Sequence, residues 1–131
     1  MERRAATLSL LSLFQEREVN MEIRHEMDDA IGAIENFSLD NKFPLLRLEF
    51  AEGDAYLGRY DNGEWEDNGD WDLGPAAYEA PGYEEWYVLD IHIEKVVVPG
   101  PNKDPRYEWI EISRKHMPVR VTAGDTVLYE E

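Results

Sequence analysis

The sequence predicts an α+β protein, in which an N-terminal helix, or two, precedes a five- to six-stranded antiparallel small β-barrel. Apolar residues recur at every third or fourth position before residue 38 and at every second position after residue 45, which indicates helix first and strands later. Turn-forming residues divide the second part into short segments. Because a small sheet hides its edges best by curling, we expect the strands to close into a barrel.

The length of 131 residues is that of one domain, large enough to close a core without cross-links. We assign residues 21–131 to a single helix-plus-barrel domain, and residues 1–20 to a helical extension or to a mis-assigned start before Met21. An arginine pair ahead of weakly polar residues resembles a signal peptide, but charged residues end the run without a small-x-small cleavage site. We therefore expect a cytoplasmic protein that does not enter a membrane.

The main helix is predicted to begin near Met21, where Asn20 can cap it. Its apolar face consists of residues at three- and four-residue spacing, namely Ile23, Met27, Ala30, Ile31, Ile34 and Phe37. We expect the helix to end near Phe37, before a polar stretch.

The period changes to two after Pro44, which predicts a half-buried strand over residues 46–50 and a returning strand over residues 55–60. A turn at residues 52–54 makes the pair a hairpin. The long polar segment 61–83, which contains glycine and proline, is predicted to be a loop.

Residues 86–98 form the clearest predicted strand. Leu89, Ile91 and Ile93 should face one way, and Asp90, His92 and Glu94 the other. Further strands are predicted at 107–113, 119–122 and 126–129, with a tight turn at 123–125.

The charge of the chain limits its partners. Twenty-nine acids against thirteen bases give a net charge of −16, and residues 49–94 contain fourteen acids with Arg59 as their only base. Such a surface repels phosphate backbones, so we do not expect nucleic-acid binding. It suits a cation, a basic protein partner or mimicry of a nucleic acid, whereas the simplest reading is a solvated, highly soluble surface.

Two stretches resemble the motifs of Sm-like proteins. The first, EGDAYLGRYD, supplies the turn glycine, aromatics and second glycine of that family's first motif, as Gly53, Tyr56, Gly58 and Tyr60. The second, TAGDTVLYE, supplies the end of its second motif, as Gly124, Asp125, Val127 and Tyr129. The resemblance implies a barrel of Sm-like or SH3-like type. It does not carry RNA binding with it, because Ala123 replaces the family's arginine and the region of the RNA-contacting loop is acidic.

The segment YDNGEWEDNGDWD repeats Asp-Asn-Gly and suggests a calcium loop. Neither glycine, Gly63 or Gly69, puts a glutamate at the twelfth position of an EF-hand, so that loop is excluded. The repeat is expected to form two turns. A weak, irregular cation site remains an alternative, with its candidate ligands Asp61, Asp67, Asp70 and Asp72.

Tryptophans next to acids in this segment suggest a platform for a sugar or peptide. We predict instead that Trp65 and Trp71 fold inward over one end of the barrel, because each buries a large apolar area. Exposure of several aromatics together would favour a protein interface. The predicted interaction surface consists of Asp61, Glu64, Trp65, Glu66, Asp67, Asp70, Trp71, Asp72, Tyr83 and Trp86.

Local motifs for catalysis or cofactor binding are absent from the sequence. It has no cysteine, and His25, His92 and His116 lack metal-binding spacing. Nucleophile elbows, phosphate loops and dinucleotide fingerprints are also missing. We therefore expect no enzyme and no cofactor. The basic cluster of residues 114–116 is expected to complement the acidic segment, within the chain or between copies in a homo-oligomer.

The sequence thus predicts a small acidic module that binds another protein through its acidic, aromatic face. A nucleic-acid-mimicking inhibitor of a basic protein is the first alternative, and a barrel that weakly binds a cation or saccharide is the second.

Overall fold

The computed structural model describes residues 29–131. Helix α1 precedes six strands and one 3₁₀ segment, which confirms the α+β class. Their bounds are α1 Asp29–Asp40, β1 Leu46–Glu49, β2 Ala55–Asp67, the 3₁₀ segment Trp71–Glu79, β3 Glu85–Val98, β4 Trp109–Ile112, β5 Arg120–Ala123 and β6 Thr126–Glu130. The predictions for residues 1–20, the helix start at Met21 and the place of His25 lie outside the described residues. Within residues 29–131, no helix has the length and apolar character needed to cross a membrane.

All strands join one antiparallel sheet in the order β4-β3-β2-β1-β5-β6. The short strand β1 lies in the middle and pairs with both β2 and β5. Within the described part of the chain, no ladder joins β4 to β6. The antiparallel sheet is therefore confirmed, and its closure into a barrel stays a prediction.

One face of the sheet and one face of α1 enclose the core. Ile31 and Ile34 of the helix are fully buried against it. Its remaining buried members come from the strands and from the turn after β1: Leu46, Leu48, Phe50, Tyr56, Leu89, Ile91, Ile93, Ile110, Ile112 and Val121. Burying each such side chain contributes about 1.5–3 kcal/mol, so this face fixes which side of every strand points inward. No residue between Tyr56 and Leu89 in the sequence belongs to this buried cluster.

The alternation predicted for β3 is confirmed. Leu89, Ile91 and Ile93 are buried in the core, while His92 and Glu94 are exposed. Pairing with β2 on one side and β4 on the other holds this strand in the sheet.

The prediction that residues 61–83 form a loop is wrong for their first part. Strand β2 continues to Asp67, because its residues pair with β3 as far as the Asp67–Glu85 pair. Helix α1 also runs beyond the predicted end at Phe37, to Asp40. The extension of β2 was hidden because it lies beyond the core and has no buried face to impose an apolar alternation.

Two positions in the sheet require glycine for different reasons. Gly124 has φ 58° in the turn between β5 and β6, a conformation that favours glycine. At Gly58, beside a register irregularity in β2, a Cβ would overlap the carbonyl oxygen of His92. The close approach of β2 to β3 at this point therefore requires glycine.

Candidate functional site

The far end of the β2–β3 hairpin extends beyond the rest of the sheet. Strand β1 pairs with β2 only between Ala55 and Gly58, and β4 pairs with β3 only between Leu89 and His92. Among the described strands, residues 64–67 and 85–88 consequently pair only with each other. We call residues 61–88 the hairpin arm, and the whole of the predicted interaction surface lies in it.

Trp65 does not fold into the core as predicted. Its side chain is 44% exposed, and its ring lies 5.2 Å from that of Tyr87, centroid to centroid. Trp65 faces the helix side of the sheet but lies beyond the buried cluster, because the arm extends past the core. The side chain of Trp71 is outside the described part of the structure.

Helix α1 is attached to the arm through Glu35. Its Oε2 accepts hydrogen bonds from the hydroxyls of Tyr60, at 2.6 Å, and Tyr87, at 2.8 Å. Burial, together with the bond to Glu35 and its negative charge, raises the pKa of Tyr87 to about 12 and also raises the pKa of Tyr60. Both phenols therefore stay neutral donors. A Cβ at Gly63 would overlap Glu35 and lie 2.6 Å from the Tyr87 hydroxyl, so this glycine makes room for the cluster.

The opposite side of the arm is acidic. Glu64 and Glu66 of β2 alternate with Trp65, Asp90 of β3 alternates with Leu89 and Ile91, and Glu111 of β4 pairs with Asp90. We call Glu64, Glu66, Asp90 and Glu111 the outer acidic face. Within residues 29–131, none of these four carboxylates forms a salt bridge.

The carboxyls of this face repel one another. Burial, followed by the charges of Glu64 and Asp90, raises the pKa of Glu66. Burial and the neighbouring acids likewise raise the pKa of Asp90 and the pKa of Glu111. One oxygen of Asp90, Oδ1, is buried without a hydrogen-bond partner among the described residues. The face thus concentrates negative charge on three adjacent strands.

The basic cluster of residues 114–116 lies beside the arm of the same chain, which is one of the two arrangements expected from the sequence. Arg114 and Lys115 approach the carboxylate of Glu84 at 3.0 Å and 2.6 Å. Hydrogen bonds from Lys115, then Arg114, lower the pKa of Glu84. The Lys115 ammonium also lies 4.0 Å from the centre of the Trp86 ring, so Trp86 is partly covered by a base of the same chain.

The tip of the arm is built by the second Asp-Asn-Gly copy. Asn68 donates to the Gly82 carbonyl and accepts from the Glu84 N–H, at 2.9 Å and 2.8 Å, which ties the two ends of the tip together. Asp70 caps the 3₁₀ segment by accepting from the N–H of Asp72. The first copy, residues 61–63, lies inside β2, so the prediction of two turns is wrong for that copy.

A cleft of about 250 Å³ opens between the end of β2 and the 3₁₀ segment. Its walls combine two carboxylates with two phenol rings and small residues: Asp67, Gly69, Asp70, Gly74, Pro75, Ala77, Tyr78 and Tyr83. The two rings meet edge to face, 5.4 Å apart. The Tyr83 hydroxyl donates to Glu85 at 2.6 Å, which orients this wall.

A second polar cluster lies away from the arm and was not foreseen. The Asp54 carboxylate, 1% exposed, accepts hydrogen bonds from the Tyr56 hydroxyl at 2.5 Å and from the backbone and side-chain nitrogens of Asn102, both at 2.9 Å. Burial acts to raise the pKa of Asp54, but these hydrogen bonds outweigh it, so the pKa lies below its usual value.

His116 continues this cluster. Its Nε2 lies 2.9 Å from the side-chain oxygen of Asn102, and its Nδ1 lies 2.8 Å from the Glu111 carbonyl. The ring stacks on Phe50 at 5.1 Å. His116 therefore joins the segment between β4 and β5 to the segment between β3 and β4. Of the basic cluster, Arg114 and Lys115 are the residues that contact Glu84.

Sequence reasoning missed Glu35, Asp54, Asn102 and Glu111, because each acts through residues far away in the chain. Their partners are brought close only by the sheet and by the docking of α1, and no local spacing signals them. Of the four candidate cation ligands, Asp67 and Asp70 line the same cleft. Within residues 29–131, however, no three His, Cys, Asp or Glu side chains are grouped so as to hold a metal ion.

Comparisons of the chain with protein-family models, with curated proteins and with solved structures found no match.

Proposed function

We propose that this protein is a non-catalytic interaction module that binds a basic segment of another protein through its hairpin arm. The observation that carries the proposal is the outer acidic face, where four carboxylates on three adjacent strands form no salt bridge within residues 29–131. Burial, and then repulsion by neighbouring acids, raises the pKa of Glu66 and the pKa of Asp90, and a cation brought to this face would relieve the repulsive part. Complementary charge of this kind chiefly gives specificity and a fast encounter.

The exposed aromatic side of the arm supplies apolar contact. Trp65 is 44% exposed on the helix side, and exposed tryptophans are typical anchors of protein interfaces. The arm therefore offers a charged surface and an aromatic surface on its two sides. A cytoplasmic location, expected from the sequence, belongs to the same proposal.

A small barrel of Sm-like or SH3-like type is the fold that we propose for the domain. Its support is the central position of β1, which lies between β2 and β5. The segment with Gly53 and Gly58 is thereby close to the segment with Gly124. RNA binding is not part of the proposal, because Ala123 and the acidic arm are the departures from that family's pattern.

The test is capture of partners with matched variants. A protein carrying Glu64→Gln and Glu66→Gln is compared with the wild type and with a control carrying Asp125→Asn and Glu131→Gln, two exposed acids outside the arm. After cross-linking in a lysate of the native host, we expect a partner whose basic segment is linked to the arm. Capture should fall in the first variant and not in the control. Equal capture by all three proteins would contradict the proposal.

Nucleic-acid mimicry is the alternative that one observation favours. Glu64 and Glu66 lie two residues apart on one strand, a separation of about 6.6 Å, close to the roughly 6–7 Å between phosphates of an extended backbone. If the captured partner is a nucleic-acid-binding protein, duplex DNA or RNA should displace the module from it. A partner that binds the module equally well with and without nucleic acid excludes mimicry.

A further inference from the structure

We infer that the cleft at the tip of the arm receives the ammonium group of a lysine side chain from the partner. This inference rests on the proposed function and names the group that the arm would recognise. The cleft joins two carboxylates, Asp67 and Asp70, to the rings of Tyr78 and Tyr83 in a volume of about 250 Å³, and a lysine side chain presents the charge and the apolar stem that such walls complement.

The carboxylates retain capacity to accept hydrogen bonds. Oδ1 of Asp67 accepts the N–H of Gly69, and Oδ1 of Asp70 accepts the N–H of Asp72, both at 2.9 Å. The second oxygen of each has no hydrogen-bond partner within residues 29–131. No base of the described chain lines the cleft. An ammonium has three donors and can use both remaining oxygens.

The aromatic walls suit the same group. A cation within about 6 Å of a phenol ring centre is attracted by the ring face. Burial, followed by the bond to Glu85, raises the pKa of Tyr83, so its ring is a neutral phenol at physiological pH. Because Asn68 ties the ends of the tip together and Tyr83 is held by Glu85, the walls are ordered before a ligand arrives, which lowers the cost of binding.

The chain itself shows this recognition a few residues away. Lys115 lies 4.0 Å from the centre of the Trp86 ring and 2.6 Å from a carboxylate oxygen of Glu84. One ammonium is thus shared between an aromatic face and an acid on the same arm. The cleft repeats the combination of aromatic and carboxylate without a lysine of its own, which is why we commit to lysine.

The experiment is an NMR titration of the ¹⁵N-labelled full chain with the peptide acetyl-Ser-Gly-Lys-Gly-Ser-amide. The control peptides replace lysine with norleucine, which lacks the charge, or with arginine. We expect saturable shifts of the amides of Gly69, Asp70 and Ala77 with the lysine peptide. The norleucine peptide should cause none. Tighter binding of the arginine peptide would overturn the assignment to lysine, since Arg106 contacts the ring of Tyr107 and the carboxylate of Asp104 in a similar way. Shifts of equal size with the lysine and norleucine peptides would overturn the inference, as would the absence of any lysine-dependent shift at these amides.

Variants locate the site. In a protein with Asp67→Asn and Asp70→Asn, affinity for the lysine peptide should fall by about fivefold or more, since both ion pairs to the ammonium are lost. Asp125→Asn, outside the arm, should leave affinity unchanged. Both variants keep the shape of the side chain, and an unchanged spectrum outside residues 61–88 shows that the fold is intact. Equal affinity in all three proteins would refute the assignment.

The cleft and the proposed function can fail separately. If the partner found by cross-linking still binds the cleft variant as tightly as the wild type, while the Glu64 and Glu66 variant loses it, the cleft is refuted and the proposed function stands. If lysine binds the cleft but no partner depends on the arm, the proposed function fails and the lysine site stands.

Discussion

Replacing Tyr56 with phenylalanine tests the buried Asp54 cluster. The change removes a hydroxyl that donates to Asp54 at 2.5 Å and keeps the ring in the core. Hydrogen bonds to charged groups contribute about 1.5–3 kcal/mol. Asp54 retains its bonds from Asn102, so we expect a loss of about 2 kcal/mol in the free energy of unfolding. For a chain of 131 residues, that corresponds to a fall of roughly 5–10 °C in Tm.

The pH dependence separates the hydrogen bond from packing. The pKa of Asp54 is lower in the folded protein than its usual value, so its stabilising contribution is present above the unfolded pKa and is lost as pH falls through the folded pKa. Without the Tyr56 hydroxyl the folded pKa rises, and the contribution is lost at a higher pH. Urea unfolding at neutral pH and at about pH 3 should therefore show a gap between the two proteins that narrows in acid.

Tyr129→Phe is the matched control. Tyr129 packs against the same core, and its hydroxyl has no hydrogen-bond partner among the described residues. We expect this variant to differ from the wild type by less than about 0.5 kcal/mol at both pH values. If Tyr56→Phe shows the same deficit at both pH values, the reasoning about Asp54 is refuted, because the loss would then arise from packing alone.

Three further predictions concern the arm. Gly63→Ala should lower the free energy of unfolding by about 1–3 kcal/mol, because its Cβ would overlap Glu35 and crowd Tyr87. Gly32→Ala in α1, where a Cβ meets open space, should instead raise the free energy of unfolding by up to about 1 kcal/mol. Urea unfolding that shows a change of the same sign in both variants would contradict this reasoning. Glu66→Gln should raise Tm at low salt by relieving repulsion, with a smaller gain at high salt, and a gain independent of salt would refute the electrostatic explanation. Millimolar calcium should raise Tm no more than the same concentration of magnesium does, since no three ligands are grouped within residues 29–131. A larger rise with calcium would show a site.

The fold class was predictable because burial imposes a period on the sequence. Leu89, Ile91 and Ile93 alternate with polar residues, and the alternation gave both the strand and its inward face. The outer half of β2 could not be predicted in the same way. Glu64, Trp65 and Glu66 cover no core, so their pairing with β3 is set by the register of the hairpin rather than by an apolar pattern.

The site was predictable in location and not in detail. The high density of acids and aromatics identified the arm as the site, because this density is a property of composition that can be read from the sequence. Its attachment to the helix through Glu35, and the contribution of Glu111 to the outer acidic face, depend on contacts between distant parts of the chain. The inward prediction for Trp65 failed because it assumed that the barrel end lies next to the tryptophan, whereas the arm carries this side chain past the core.

The buried core cluster has no member between Tyr56 and Leu89, which has a consequence for the evolution of the protein. Exposed positions between these two residues escape the volume constraints that govern the interior, whereas Gly58, the buried Ala77 and Val88, the Glu35 cluster and the lysine–tryptophan contact do not. Recognition and folding are therefore encoded in separate stretches of one short chain. A lineage could acquire a new binding preference by changing residues 68–84 alone, and the same interval is where a recombinant scaffold would accept a grafted peptide.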